Sequence, residues 1–231
     1  EYGKNVVLLD NGDILQGQPT CYYSNYVATD RPNIVSKILN YMKYDAVTVG
    51  NHDIEPGHAV YDKWIKEMKC PVLGANIINT ATNQPYIKPY TIIEREGVKI
   101  AVLGMLTPAI PCWLSESLWS GLRFESIEKS ASKWIKYIKE NEKPDIVVGL
   151  FHSGWSGGIT TAEYNEDAAQ STAKTVEGFD VIFFGHDHRA RKAEEKGPDG
   201  NTVLCLDPSC NAMNVGDAQI ELKIKDGKVV D

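Results

Sequence analysis

Ile146-Val147-Val148-Gly149-Leu150-Phe151 runs without a polar side chain into His152-Ser153-Gly154. An unbroken apolar run of this kind reads as a strand buried on both faces, the mark of a mostly parallel sheet. The pattern recurs. Val6-Val7-Leu8-Leu9 leads to Asp10-Asn11-Gly12-Asp13, Ala46-Val47-Thr48-Val49 to Gly50-Asn51-His52-Asp53, and Val181-Ile182-Phe183-Phe184 to Gly185-His186-Asp187-His188. These segments hold four of the chain's five histidines, each just after an expected strand. In open α/β sheets ligands bind beyond the carboxyl ends of the strands. Asp, Asn and His donors gathered there suit a borderline divalent metal.

Helical patterns separate the strands. Pro32 opens a helix with Ile34, Val35, Ile38, Leu39 and Met42 spaced by three and four. A second helix is expected from His58 to Lys69, a third from Ile127 to Glu140 and a fourth around Ala168 to Val176. Val72 to Ile77 reads as one returning strand. Tyr90 to Ile93 and Val98 to Leu103 read as a hairpin joined through Glu96-Gly97. Thr202 to Leu206 and Val215 to Ile224 alternate as half-exposed strands do. Parallel units mixed with hairpins predict an α/β fold of two packed sheets flanked by helices. The 231 residues show no repeat, low-complexity segment or linker, so one domain over 1–231 is expected.

Composition narrows the function. A net charge of −7 excludes the broad basic footprint that a nucleic-acid polymer requires. An anionic substrate must then be held locally, by metals or a few donors. No apolar run approaches the ~20 residues of a membrane span. The five cysteines (Cys21, Cys70, Cys112, Cys205, Cys210) cannot all pair within one chain. Cys205 and Cys210 could meet across a turn, but small apolar residues in or near the core is the preferred reading.

Taken singly, the candidate ligands differ in strength. His186-x-His188 is weak alone, yet it follows a buried strand and a glycine, and a tight turn can aim two imidazoles at neighbouring metals. Gly12-Asp13 is a commonplace turn dipeptide. Asn51 is sharper, because a neutral amide oxygen is an unusual ligand, and His52 beside it points elsewhere and can act on a substrate. His152 reads equally as a core histidine, although Ser153-Gly154 gives its backbone room to approach a ligand. Trp113 and Trp119 are expected to cap a core edge rather than line a substrate path. Trp155, next to His152, stands evenly between the two readings. His58 is read as a surface residue at a helix start.

Together, and in this order, Asp10-Asn11-Gly12-Asp13-Ile14-Leu15-Gln16-Gly17, Tyr44 to Asp53, Phe151-His152-Ser153-Gly154 and Gly185-His186-Asp187-His188 resemble the calcineurin-like metallophosphoesterases. Within them the resemblance is to the 5'-nucleotidase and 2',3'-cyclic-nucleotide 2'-phosphodiesterase group. It implies a four-layer α/β/β/α sandwich of two mixed sheets, here lacking the usual first strand. It implies two divalent ions bridged by one aspartate and a water or hydroxide. Asp13 would bridge, Asn51, His152 and His186 would complete one ion, and His188 would serve the other. His52 would donate to the phosphoryl group or leaving oxygen, oriented by Glu55 where the group carries Asp.

The group's Asp-x-His strand does not precede Asp13, and its C-terminal substrate domain does not follow. The chain therefore reads as a catalytic domain truncated at both ends, holding at most one ion firmly and hydrolysing feebly on its own. The retained donors suit Mn, Zn, Fe or Ni. The expected activity is hydrolysis of nucleotide phosphoesters, first of 2',3'-cyclic nucleotides, with Gln16-Gly17-Gln18-Pro19 and Lys88-Pro89-Tyr90 leaning that way. A 5'-nucleotidase or UDP-sugar hydrolase is the alternative, and a non-catalytic metal-binding domain the alternative of another class. The implied partner is a small nucleotide or cyclic nucleotide, and the implied location the periplasm or cell surface.

Overall fold

The structure is a computed structural model that describes residues 3–225 and 228–230. In chain order it contains β1 (Leu9–Asp10), α1 (Pro19–Tyr22) continued by a π-helical turn (Tyr23–Val27), α2 (Ile34–Met42), β2 (Ala46–Thr48), α3 (Asn51–Ile54), α4 (His58–Glu67), β3 (Val72–Leu73), β4 (Ile77–Asn79) and β5 (Gln84–Pro85). There follow β6 (Tyr90–Arg95), β7 (Val98–Leu106), α5 (Ile110–Trp113), β8 (Leu122–Phe124), α6 (Ile127–Asn141), β9 (Ile146–His152), β10 (Gly157–Thr160), β11 (Asn165–Asp167) and α7 (Ala169–Thr175). The last strands are β12 (Val181–Phe184), β13 (Arg191–Lys196), β14 (Thr202–Asp207), β15 (Ile224–Lys225) and β16 (Lys228–Val229).

Two sheets face each other. The smaller is parallel, in the order β1-β2-β3. The larger has six strands in the order β13-β14-β12-β9-β7-β6. Its inner strands run parallel, and β13 and β6 close the edges antiparallel. Strand β9 explains the apolar run at its centre, because all its residues are buried. Val147 and Phe151 face the helices α6 and α7, while Ile146, Val148 and Leu150 face Ala46 and Leu73 of the other sheet. On the far side, Leu39, Val60 and Trp64 of α2 and α4 cover Val47 and Val49. The four layers α/β/β/α follow from these three apolar interfaces.

Local signals set the helix starts. Asn33 caps α2 by accepting from the Val35 N–H at 2.9 Å, and Ser126 caps α6 by accepting from the Lys129 N–H at 3.4 Å. Three expectations need correction. The Val72 to Ile77 strand is broken at Gly74-Ala75, where the Ala75 N–H turns to the Gly104 carbonyl; β3 and β4 therefore join different sheets. Of Val6 to Leu9, only the last residue enters β1. Residues 215–223 form no strand; only Ile224, the last residue of that expected stretch, enters β15. All five cysteines are free thiols, Cys205 and Cys210 included. No helix among the described residues is long and apolar enough to cross a membrane.

The two sheets lie in close contact at Gly104. A Cβ there would lie 2.3 Å from the Leu73 Cβ and 3.0 Å from its carbonyl carbon. Gly104→Ala is therefore expected to lower stability by about 1–3 kcal/mol through overpacking. Urea denaturation with an unchanged m-value checks it.

Candidate active site

The site begins with a turn that only small residues permit. Beyond β1, Asp10 Oδ1 accepts from the Gly12 N–H at 3.0 Å, and the chain passes through positive φ at Gly12 (82°) and Asp13 (62°). A Cβ on Gly50 would stand 2.1 Å from Asp13 Oδ1, so the turn after β1 nests against the turn after β2. Asp53, fully buried in α3, binds the two turns together. Its carboxylate accepts from the N–H groups of Gly50 (2.8 Å), Asp13 (2.8 Å), Ile14 (2.9 Å) and Leu15 (2.8 Å). Burial, and then the Asp13 charge, push the Asp53 pKa up, and the N–H donors of Gly50, Ile14 and Leu15 work against that rise. Burial likewise raises Asp10 to about 6.

Three donor atoms meet above this clip. Asp13 Oδ1 accepts from the His52 N–H at 2.9 Å, which leaves Oδ2 to approach His152 Nε2 at 3.2 Å. Asn51 Oδ1 lies 3.1 Å from the same Nε2. His152 Nδ1 is 2.7 Å from the Asn11 carbonyl oxygen, which can only accept, so Nδ1 carries a proton. The Nε2 lone pair of a neutral ring would then face two acceptor oxygens. A cation among the three resolves that clash. Without one a second proton does so, and the electrostatics agree. Burial opposes an imidazolium at His152, but Asp13 outweighs it and the pKa rises. Burial also opposes the Asp13 charge, but His152 more than offsets it and holds the acid at about 2. One carboxylate, one amide oxygen and one imidazole with its far nitrogen anchored fit a borderline divalent ion.

The remaining candidates divide. Both His186 (φ 89°) and His188 (φ 59°) sit beyond the end of β12 in turn conformations. The His186 ring is 5.3 Å from the His152 ring, so it borders the trio, but its Nε2 faces Glu166 Oε1 at 3.0 Å. Burial, and then His152, lower the His186 pKa. His188 is exposed, and its ring makes no contact among the described residues; only its carbonyl is used, accepting from Ser209 Oγ at 2.9 Å. His52 and Glu55 are joined, with Nδ1 2.6 Å from Glu55 Oε2, although both are well exposed. The extra methylene of Glu over Asp does not prevent the contact.

Sequence reasoning passed over Asn11, Asp53, Glu166 and Asp167. Glu166, Asp167 and His186 offer ligand atoms within 4.8 Å of one another. The two acids lie in the β10–β11 hairpin, for which the sequence offers no strand pattern. An acid ahead of a helix ordinarily signals only a helix start, so nothing singled them out. The tryptophans also separate. Trp113 is 5.6 Å from the His186 ring, at the rim of the site rather than a core edge. Trp119 packs on Phe124, as expected of a core edge. Trp155 is buried against Phe184 with Arg191 over its face. His58 is not a loose surface residue, since its ring bonds Asp62 and the Ser120 carbonyl.

The profile of the family described as "Calcineurin-like phosphoesterase" matches residues 1–190. The chain belongs to this family, whose hydrolases act on phosphoester bonds and whose metallophosphoesterase members use divalent ions. It is 33% identical over 215 residues to a Haemophilus influenzae protein named 2',3'-cyclic-nucleotide 2'-phosphodiesterase/3'-nucleotidase, covering 87% of this chain and 32% of that one. It is 30% identical over 185 residues to a Vibrio cholerae 5'-nucleotidase, covering 80% and 32%. The solved calcineurin-like phosphoesterase YfkN from Bacillus subtilis superposes with a TM-score of 0.75 at 26% identity, covering 89% of this chain and 68% of that one. The chain spans about a third or less of the length of the first curated relatives it matches.

Asp53→Asn replaces one acceptor oxygen with an amide that faces two N–H donors. It is expected to lower stability by roughly 3 kcal/mol or more. It should also weaken Mn²⁺ binding at least tenfold, because it releases the turn that carries Asp13. Urea denaturation and metal titration read the two effects separately.

Proposed function

We propose that residues 1–231 form the catalytic domain of a metal-dependent phosphoesterase acting on nucleotides, preferentially 2',3'-cyclic nucleotides. The observation that carries this reading is the approach of both Asp13 Oδ2 (3.2 Å) and Asn51 Oδ1 (3.1 Å) to His152 Nε2, in the turn that also carries the His52–Glu55 pair. The name of the Haemophilus influenzae relative supports the cyclic-nucleotide preference; that of the Vibrio cholerae relative supports 5'-nucleotides as the second substrate class. Placement in the periplasm or at the cell surface rests on the family resemblance.

A divalent ion held by Asp13, Asn51 and His152 would polarise a phosphoryl oxygen and lower the pKa of an attacking water. The chain's own residues supply the rest. The Asn11 carbonyl fixes the His152 tautomer and points Nε2 inward. Asp53 holds the Asp13 turn against Asn51. Glu55 accepts from Nδ1–H of His52, which leaves Nε2, bonded to nothing among the described residues, as the nitrogen that takes up a proton to form the imidazolium and gives it out again. His52 delivers that proton to the phosphoryl or leaving oxygen as general acid. His186, turned by Glu166, closes the side of the pocket under Trp113.

Stripped with EDTA and reloaded with Mn²⁺, the chain is expected to hydrolyse 2',3'-cyclic AMP and bis-p-nitrophenyl phosphate. Turnover of neither with the metal bound would leave a non-catalytic metal-binding domain. His52→Asn should lower kcat by about 10²-fold and Glu55→Gln by about 10-fold, both with Mn²⁺ affinity intact. Parallel loss of metal and turnover would make His52 a ligand. Calorimetric titration is expected to find one tight Mn²⁺ per chain, abolished by His152→Ala and kept in His188→Ala, since no hydrogen bond or ring contact joins the His188 ring to the trio among the described residues.

A further inference from the structure

Glu166, which bonds to His186 beside the donor trio, is built into the site more firmly than a wall residue requires. Its carbonyl oxygen accepts from two fully buried hydroxyls, Ser153 Oγ at 2.7 Å and Thr107 Oγ1 at 3.1 Å. Ser153 directly follows His152, and Thr107 directly follows β7. Its neighbour Asp167 accepts from the Gly154 N–H at 2.9 Å. The backbone of Glu166 is thus tied to the end of the strand that carries His152.

A β-bulge then directs the side chain. Gly157 pairs with Asp167 and Thr160 with Asn165, so Gly158 and Ile159 together stand opposite Glu166. Bulges beside active sites re-aim a side chain. The Ile159 N–H donates to Glu166 Oε2, and a Cβ on Gly158 would lie 2.5 Å from that oxygen. Oε2 is taken up by the bulge, and Oε1 meets His186 Nε2 at 3.0 Å. His186 is held from its own side as well. It sits at φ 89°, and Asp187 after it accepts from the N–H groups of Trp155 and Arg189, each at 3.0 Å.

A carboxylate oxygen only accepts, so His186 Nε2 carries a proton. The lone pair of the neutral ring is then on Nδ1, which bonds to nothing among the described residues. A histidine that ligates a metal through one ring nitrogen gives the other to such a partner. We infer that Glu166 is a positioning residue of the metal centre: it holds His186 in the Nε2–H tautomer, so that Nδ1 is the nitrogen offered to the ion at Asp13, Asn51 and His152. This inference rests on the metal-dependent phosphoesterase reading above. Glu166 then acts on the ion only through His186, as the Asn11 carbonyl acts through His152.

Two measurements test the role, and neither reads turnover. In the metal-free full chain at about pH 8, proton–nitrogen correlation spectra are expected to show His186 protonated at Nε2. The hydrogen-bonded Nε2 proton should be visible directly and vanish in Glu166→Ala. A parent ring protonated at Nδ1, or an Nε2 proton equally visible in Glu166→Ala, overturns the inference. Calorimetric titration should find Mn²⁺ at least tenfold weaker in Glu166→Ala and in His186→Ala, with the double variant within about threefold of His186→Ala. Losses that multiply in the double variant would make Glu166 a ligand in its own right. Unchanged affinity in Glu166→Ala would leave it a structural contact. Either result overturns the positioning role. The backbone contacts of Glu166 survive these substitutions, and thermal melts confirm that the variants fold. Turnover of bis-p-nitrophenyl phosphate by the Mn²⁺-loaded parent separates the two readings. Turnover with multiplying losses rejects the positioning role alone. The expected tautomer and non-additive losses without turnover uphold the positioning role and reject the phosphoesterase.

Discussion

The Asp53 carboxylate holds the site together. A buried carboxylate without partners is among the most unfavourable groups a fold can contain. Here it is fully buried and accepts four backbone N–H groups, drawn from the turn after β1 and from the start of α3 after β2. These strands are hydrogen-bonded neighbours, so their ends are already close. Asp53 turns that proximity into a fixed geometry. Asp13 and Asn51 then present oxygens to one point, and neither side chain has to be ordered when a ligand arrives.

The third donor comes from the other sheet, which makes the site depend on how the sheets stack. Asn11 provides the link. Its side-chain amide donates to the Phe151 carbonyl at 2.9 Å, and its own carbonyl accepts from His152 at 2.7 Å. One residue after β1 thus grips two consecutive residues at the end of β9. The grip works only at the spacing set by Leu73 lying directly against Gly104. Inter-sheet packing and donor geometry are therefore one constraint, and a side chain that forces the sheets apart would disturb the site at a distance.

Much of this was legible in the sequence. Buried strands of a parallel sheet need apolar residues on both faces, so β9 and β12 declare themselves, and the ligand types cluster where such strands end. Helices α2 and α6 were marked by the spacing of their apolar residues. The misreadings share a cause. Val72 to Ile77 looks like one strand because periodicity does not show a chain changing sheets at Gly74. Residues 215–223 alternate well but pair with no strand among the described residues. Glu166 and Asp167 reach His186 only through the β10–β11 hairpin, a tertiary contact with no local signature. Asp53 stood in plain view, yet nothing in the sequence separates a surface acid in Asn51-His52-Asp53 from one that closes two turns.

The site's two halves are built to different standards, and chemistry accounts for the difference. His152 has a side-chain exposure of 4% and Asp13 of 17%, whereas His52 and Glu55 stand at 48% and 35%. Groups that bind a divalent ion gain from burial, since a low local dielectric strengthens their hold and excludes competing water. A general acid has to meet a substrate that enters from solvent and leaves again, and it must recover its proton between turnovers, so exposure serves it. Substrate would then be protonated at the exposed rim and held at its phosphate by the rigid interior, in the order in which a molecule arriving from water meets them.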